Sequence, residues 1–456
     1  MSEKGRRDFL KSLAWVGAGA TCAGNMVGFR SAGAGVLAGT GIPEMKYAPL
    51  KTVKVGIIGL GMRGPSAVQR LSMIPGVEIV ALCDLIKNRA ERQRNWLVGK
   101  KKKAPAVYGG TEEAWKALCD RDDINLVYIT TPWKLHTPMC LYAMEHGKHA
   151  VSEVPIAVTV EECWQIVETS ERTRRHCMML ENCCYGDSEL FALMLCRKGV
   201  LGQIVHGEGG YLHSLADLKM NRNGYQGMWR LKFSEEHDGD PYPTHGLGPI
   251  CMCMDINRGD KMDYLVSVSS GQFGLSEFAN QHFGKNDSRS KASYKLGDVN
   301  TTIIKTSKGR TIMVQHNTTT ARPYSRINSI TGTKGILSDY PLRVALGHGW
   351  MNNTRLNELH KQYLHPLWKR AGDIARKQGG HGGMDFLMDL RLCYCLQNGL
   401  PLDISVYDSA TWSSLVELSE RSTLNKGQSV EVPDFTRGAW KTTKPWDIIS
   451  LPESFI

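Results

Sequence analysis

The chain has 456 residues, 42% of them hydrophobic and 22% charged, the balance of a soluble globular protein long enough for two domains. That composition argues against a disordered, collagen-like or multi-pass membrane protein. The formal charge of +11 is scattered, and without a basic stripe carrying interleaved aromatics it does not describe a nucleic-acid surface.

Residues 1–30 read as a signal of the twin-arginine type. Arg6-Arg7-Asp8-Phe9-Leu10-Lys11 precedes an apolar, Gly/Ala-rich run from Leu13 to Gly28, too short to span a bilayer comfortably. Gly5 stands where Ser or Thr is usual. This route exports folded proteins, so the expected location is the periplasm or the cell surface, with membrane contact only through this segment. The thirteen cysteines lack zinc-site spacing, and no metal is expected. A chain folded before export meets reducing conditions, so mostly free, buried thiols are expected.

Residues 31–50 look like a linker. The segment 51–182 then alternates apolar strands with helices: Val53–Ile58, a helix from Pro65 to Met73, a strand from Glu78 to Asp84, another at Asn125–Ile129 and one ending near Val151. This pattern predicts a parallel sheet with covered faces, a Rossmann domain. The dense Lys100–Lys103 run beside Pro105 reads as a solvated loop. From about residue 204 the texture changes. Segments 204–213, 264–273, 300–306 and 310–318 alternate apolar with polar or small residues, with a turn at Ser307-Lys308-Gly309. Residues 326–331 and 336–339 make a further hairpin. The segment 183–456 is therefore expected to be an α+β domain with a large, open, mainly antiparallel sheet and a helical C-terminal part, Met384–Leu396 included. Such an open face can recruit a second copy of the chain.

Gly59-Leu60-Gly61-Met62-Arg63-Gly64 follows a strand and opens a helix, and Asp84 ends the next strand. This context turns a weak glycine motif into a dinucleotide fingerprint. Gly59 permits the turn, Gly61 admits the pyrophosphate, and Gly64 lets helix and strand pack. Asp84 would bind the ribose hydroxyls and repel a 2′-phosphate, favouring NAD.

Thr131-Pro132-Trp133-Lys134-Leu135-His136 and Glu153-Val154-Pro155 resemble the glucose–fructose oxidoreductase / inositol dehydrogenase / rhizopine catabolism superfamily. The chain leaves the dehydrogenase pattern at two places. Val154 replaces the Lys of the usual Glu-Lys-Pro, and Pro241 replaces the Asp four residues before His245. Glu181-Asn182-Cys183-Cys184-Tyr185, Met228-Trp229-Arg230, the run Pro241 to Pro249 and Arg322-Pro323-Tyr324-Ser325 are similar to glycoside hydrolase family 109, the NAD-dependent α-N-acetylgalactosaminidases. That resemblance implies that Met62, Arg63, Gly64, Asp84, Trp133, Lys134, Leu135, His136, Glu153, Val154 and Asn182 touch NAD. It implies that Tyr211, Arg230, Tyr242, Pro243, Thr244, His245 and Tyr324 line the sugar pocket.

NAD-dependent glycosidases are exceptions to the two-carboxylate rule. Oxidation of the sugar at C3 acidifies the C2 proton, the C1 substituent leaves by elimination, water adds at C1, and C3 is reduced again. An imidazole titrates near working pH, so His245 is assigned the C3 hydroxyl proton. Tyr185 is the candidate for the C2 proton if positive charge lowers its pKa, with Tyr242 and Tyr324 as alternative bases or acids. Arg230 is assigned to sugar hydroxyls or the acetamido oxygen. His206, His213 and His316 read as structural. The alternatives are an NAD-dependent sugar or inositol dehydrogenase releasing NADH, and a non-catalytic sugar-binding protein that keeps NAD.

Overall fold

The structure is a computed structural model and describes residues 47–455. The twin-arginine segment, Cys22 and most of the 31–50 linker lie outside the described residues.

The first half builds a six-stranded sheet: β1 Val53–Ile58, β2 Val77–Asp84, β3 Ala106–Gly109, β4 Leu126–Ile129, β5 His149–Ser152 and β6 Cys177–Met179, in the order β3-β2-β1-β4-β5-β6. Every neighbouring pair is parallel. Continuous apolar runs suit strands covered on both faces, and Val53, Val55, Ile57, Leu126, Val127 and Ile129 are fully buried. The strand order reverses between β1 and β4, which opens the crevice at their C-terminal ends where α/β sheets bind ligands. Strands β3 and β6, not foreseen from sequence, are short; β3 is half-buried along its length.

A second sheet follows. It comprises β7 Ile204–Leu212, β8 Met262–Ser269, β9 Asn300–Thr306, β10 Thr311–Asn317, β11 Ser329–Gly332, β12 Ile336–Ser338, β13 Arg343–Ala345 and β14 Val430–Glu431. Their order is β13-β12-β11-β7-β10-β9-β8-β14. All pairs are antiparallel except β7 with β10, which run parallel. Alternation along β9 and β10 sends Ile304, Ile312 and Val314 into the core. On the opposite face Tyr264, Val268 and Ile303 are exposed.

The split at residue 182 is a division of the sequence more than of space. Helix Met384–Asn398 returns to the first sheet, where Asp389 takes Nε–H of Arg70 at 2.8 Å and the hydroxyl of Tyr128 at 3.0 Å. Ser409 Oγ, on helix Val406–Ser413, accepts the backbone N–H of Met179 at 3.0 Å. One hydrophobic core runs through both halves, so the two sheets hold the crevice between them in a fixed geometry. The twelve described cysteines are free, and all but Cys196 are buried. Among the described residues no helix is long and apolar enough to cross a membrane.

Candidate active site

The crevice begins with the glycine turn. Gly59 has φ +90°, and a Cβ there would sit 2.7 Å from Thr130 O, so neither the backbone conformation nor the space admits a side chain. A Cβ on Gly64 would collide with Gly59 O, which keeps helix Gly64–Met73 close to β1. At Gly61 the nearest atom to a Cβ is Arg89 Nη1 at 3.8 Å, so this side of the turn is open. Asp84 shapes the other wall: Oδ2 accepts the Leu60 N–H at 2.6 Å and Oδ1 the Ile86 N–H at 2.7 Å. Exposed Leu85 and Ile86 follow it and offer apolar surface of the kind an adenine ring covers. An open turn, free N–H groups at a helix start and an acid at the next strand end fit a dinucleotide.

Deeper in the crevice, Arg63 ties three elements together. Its Nε donates to Glu153 at 2.8 Å and its Nη1 lies 3.1 Å from Asp385. Asp385 also accepts Nδ2–H of Asn182 at 2.5 Å. Asp385 has no exposure, and despite burial its carboxyl is held far below the usual range by His381, Arg63 and Arg70.

The second sheet supplies the opposing wall. Gly209 and Gly210 on β7 let helix Thr244–Cys253 lie against the strand; a Cβ on Gly246 would stand 2.6 Å from Gly209 C. This close approach puts His245, in the first turn of that helix, over the end of β7. His245 Nδ1 lies 2.7 Å from Glu181 Oε1. Burial works against the Glu181 charge, but His245 pulls the carboxyl below its ordinary value. An ionised Glu181 accepts Nδ1–H and leaves Nε2 as the nitrogen free to meet a substrate.

Two tyrosines pack on this imidazole, and a third stands behind one of them. The ring of Tyr242 is 4.8 Å from His245 and that of Tyr211 is 5.4 Å away; Tyr211 also lies 6.3 Å from Tyr324. Burial raises the phenols of Tyr211 and Tyr242, with Arg230 opposing it. Arg230 is caged, its guanidinium 4.5 Å from the Tyr225 ring, 4.8 Å from Trp133 and 4.9 Å from Tyr242. Its Nε is buried without a hydrogen-bond partner among the described residues. On the far side of Tyr211, Arg326 Nη1 donates to the Tyr324 hydroxyl at 2.9 Å, and Arg326 Nε donates to buried Glu189 at 3.0 Å. Burial leaves the Tyr324 phenol raised well above its ordinary value, and Arg326 offsets only part of that rise.

Two family descriptions match the chain. Residues 185–442 match "Glycosyl hydrolase 109, C-terminal domain" and residues 53–181 match "Oxidoreductase family, NAD-binding Rossmann fold". An alpha-N-acetylgalactosaminidase of Bacteroides fragilis is 47% identical over 88% of this chain and 96% of its own length. One from Shewanella oneidensis is 44% identical over 97% of this chain and 98% of its own. The chain belongs to glycosyl hydrolase family 109. Among solved structures, a levoglucosan dehydrogenase in complex with NADH and levoglucosan superposes with a TM-score of 0.64 at 18% identity, covering 84% of this chain and all of that one. A scyllo-inositol dehydrogenase from Lactobacillus casei with bound NAD(H) and scyllo-inositol gives 0.59 at 16% identity, covering 84% and 99%. These two share the fold. The family carries an NAD-binding domain, and the open cradle here fits that cofactor.

Within this family member the residues singled out from sequence do not all serve alike. Tyr185 is a correction. Its side chain is buried, its hydroxyl donates to Asp403 at 3.1 Å beside the Arg391–Asp403 ion pair, and burial together with Asp403 drives its pKa up. The positive charge that would make it a base is outweighed. His136 uses both ring nitrogens on backbone, at 2.7 Å from Pro155 O and 2.7 Å from Thr131 O, so its side chain ties the loop after β4 to the segment after β5. Lys134 pairs with exposed Glu236 at 2.9 Å. Trp133 packs on Trp229, Phe233 and Tyr242 and underlies Arg230, so it joins the loop after β4 to the Arg230 cage. Val154 is buried, and Met62 and Leu135 are exposed at the crevice rim. Pro243 and buried Thr244 set the start of the His245 helix. His213, read as structural, stands 5.1 Å from the Tyr324 ring at the pocket edge.

Sequence reasoning missed Glu181, Glu189, Arg326 and Asp385. Arg326 was findable, since residues i and i+2 of an extended segment share a face with Tyr324. Among the described residues, Glu181, Cys183 and His245 bring ligand-type atoms within 4.8 Å of one another. Burial pushes the Cys183 thiol up and the Glu181 carboxylate already accepts the Nδ1–H of His245, so the group is a hydrogen-bonded pair beside a neutral thiol.

Proposed function

We propose that this protein hydrolyses terminal α-N-acetylgalactosaminides through transient oxidation at C3, C2 deprotonation, elimination at C1, water addition and C3 reduction. One observation carries the reading: the Tyr211 ring stands between the Glu181–His245 pair and the Arg326–Tyr324 pair, 5.4 Å from His245 and 6.3 Å from Tyr324. Adjacent sugar carbons present two protons, and the pocket offers two groups to take them. Bound NAD supplies the reversible oxidation of a sugar carbinol. His245 Nε2 takes the C3 hydroxyl proton, held in the right tautomer by the Glu181 carboxylate. Tyr324, whose oxygen already accepts a hydrogen bond from Arg326, takes the C2 proton made acidic by the adjacent ketone. Tyr211 and Tyr242, kept as phenols by burial, donate to sugar oxygens. Arg230 binds the acetamido oxygen with its unpartnered donor, the aromatic cage fixing its plane. Val154 and Pro241 leave the dehydrogenase's own proton-handling positions apolar, which supports a hydrolase over a dehydrogenase that releases NADH.

The basic, apolar N-terminal segment supports export by the twin-arginine route to the periplasm or cell surface. A resident cofactor recycled in each turnover suits a compartment where free NAD is scarce. The exposed Tyr264, Val268 and Ile303 face supports a homo-oligomer packed through the second sheet.

The test is protein as purified, given 4-nitrophenyl N-acetyl-α-galactosaminide without added cofactor. Many turnovers of nitrophenol with flat absorbance at the reduced-nicotinamide wavelength are expected. Steady accumulation of NADH on added NAD, with no nitrophenol, would make the protein a dehydrogenase.

A further inference from the structure

Between helix Pro366–Gln378 and helix Met384–Asn398 the chain turns through Gly379-Gly380-His381-Gly382-Gly383. All five residues have positive φ, at +77°, +79°, +47°, +75° and +109°. Glycine adopts this backbone freely; His381 is held in a left-handed conformation that side chains disfavour. A Cβ at Gly380 would stand 2.7 Å from Asp385 Cβ, and one at Gly383 2.8 Å from Ala375 C. The turn is therefore packed down onto the helices it joins. The one side chain it carries is delivered to Arg63 in the cofactor crevice, 318 residues away along the chain.

There His381 meets a prepared partner. Its Nδ1 lies 3.1 Å from both carboxylate oxygens of Asp385 and 3.3 Å from Arg63 Nη1. Asp385 is buried and ionised, so it accepts Nδ1–H and the two donors share it, which leaves Nε2 facing away from the carboxylate. The imidazole is 53% exposed, and its Nε2 makes no hydrogen bond among the described residues. Arg63 is the N-cap of helix Gly64–Met73, whose first N–H groups form the phosphate cradle. Through Nε it also holds Glu153, just past β5, which sets His381 on the β4–β5 side of the crevice. Asp84, where the adenosine end belongs, ends β2 on the other side. His381 therefore stands where the nicotinamide half of a dinucleotide crosses.

We infer that His381 holds the bound cofactor: its Nε2 hydrogen-bonds an oxygen of the diphosphate–ribose chain on the nicotinamide side. The Gly379–Gly383 turn is then a clasp that the second half of the chain lays across a dinucleotide cradled by the first. The assignment goes beyond the glycosidase reading and stands without it, because it concerns how NAD is retained and not the reaction NAD serves. Cradle and clasp come from opposite halves of the chain, so release requires the turn to lift from Arg63.

Acylation of histidines by diethyl pyrocarbonate, read residue by residue from peptide masses, tests the contact without recourse to turnover. The reagent attacks an imidazole nitrogen with a free lone pair, and exposed His348 serves as the internal reference. In the NAD-loaded protein His381 should react about tenfold or more slowly than His348, since labelling follows the small fraction without cofactor. After NAD is stripped with charcoal the two should react alike. His381→Ala should lose NAD on dilution about tenfold faster than the parent, as expected for one lost hydrogen bond to a charged group. Equal labelling of His381 and His348 in the loaded protein would overturn the contact, as would a variant that retains NAD like the parent. A His381 equally slow with and without NAD, beside faster release from the variant, would mean that the imidazole merely props Arg63 and Asp385. That result too would overturn the proposal.

Discussion

Nδ1 of His245 lies 2.7 Å from Oε1 of Glu181, a carboxylate with no solvent exposure. The pair joins the loop after β6 to the first turn of helix Thr244–Cys253, so the first half of the chain orients a side chain of the second. Replacing Glu181 by Gln keeps the shape and an acceptor but removes the charge that stabilises a protonated imidazole. A loss of roughly 10²–10⁴-fold in kcat is expected, with the NAD content of the purified protein unchanged. A Glu181→Gln enzyme within threefold of the parent would take Glu181 out of the chemistry.

The two tyrosines predict opposite outcomes. Tyr324→Phe removes the oxygen held by Arg326 and should lower kcat by about 10²-fold or more. Tyr185→Phe removes a buried hydrogen bond to Asp403, which costs about 1–2 kcal/mol of stability and should leave kcat within about threefold. Thermal melts and steady-state kinetics on the two variants separate these effects. A Tyr185→Phe enzyme that melts normally but has lost turnover would restore Tyr185 as a base.

Much of this was legible in the residues and part was not. The glycine turn and Asp84 announced the cradle because the fingerprint is local, and the parallel strands showed as continuous apolar runs. Period-two alternation located β7 and β10, but alternation says nothing about partner or direction, so their parallel pairing was hidden. Glu181 and His245 are 64 residues apart, and no local pattern links them. Tyr185 was assigned the C2 proton on condition that positive charge lowers its pKa, and sequence cannot tell that its hydroxyl turns to Asp403. Arg391 and Asp403, far along the chain, decide that direction.

Gly64→Ala tests the cradle. The added methyl meets Gly59 O, so helix Gly64–Met73 must move off the strand and carry its N–H groups away from the pyrophosphate. NAD retained through gel filtration should drop to a minor fraction, and glycosidase activity should return in part when NAD is added in excess. Full retention of the cofactor by the variant would show that the phosphates bind elsewhere.

Asp240, which accepts the Tyr242 N–H at 2.9 Å, has its carboxyl pushed up to about 7 by burial. A raised carboxyl pKa means the native state holds a proton that the unfolded chain has released. Stability from this group therefore falls as pH rises from about 4 to about 7 and then levels off. Asp240→Asn removes that slope. Relative to the parent, the variant should gain in melting temperature between pH 5 and pH 8. An unchanged difference across that range would mean Asp240 is ionised throughout.

The most direct measurement of the redox–elimination route is the fate of the C2 hydrogen. Turnover of an N-acetyl-α-galactosaminide in D₂O, followed by NMR of the released sugar, reads it in one experiment. Deuterium at C2 of the product, with no net change in cofactor oxidation state, is the expected result. Product that keeps its original hydrogen at C2 would mean direct displacement at C1, and the roles given to His245 and Tyr324 would fall together.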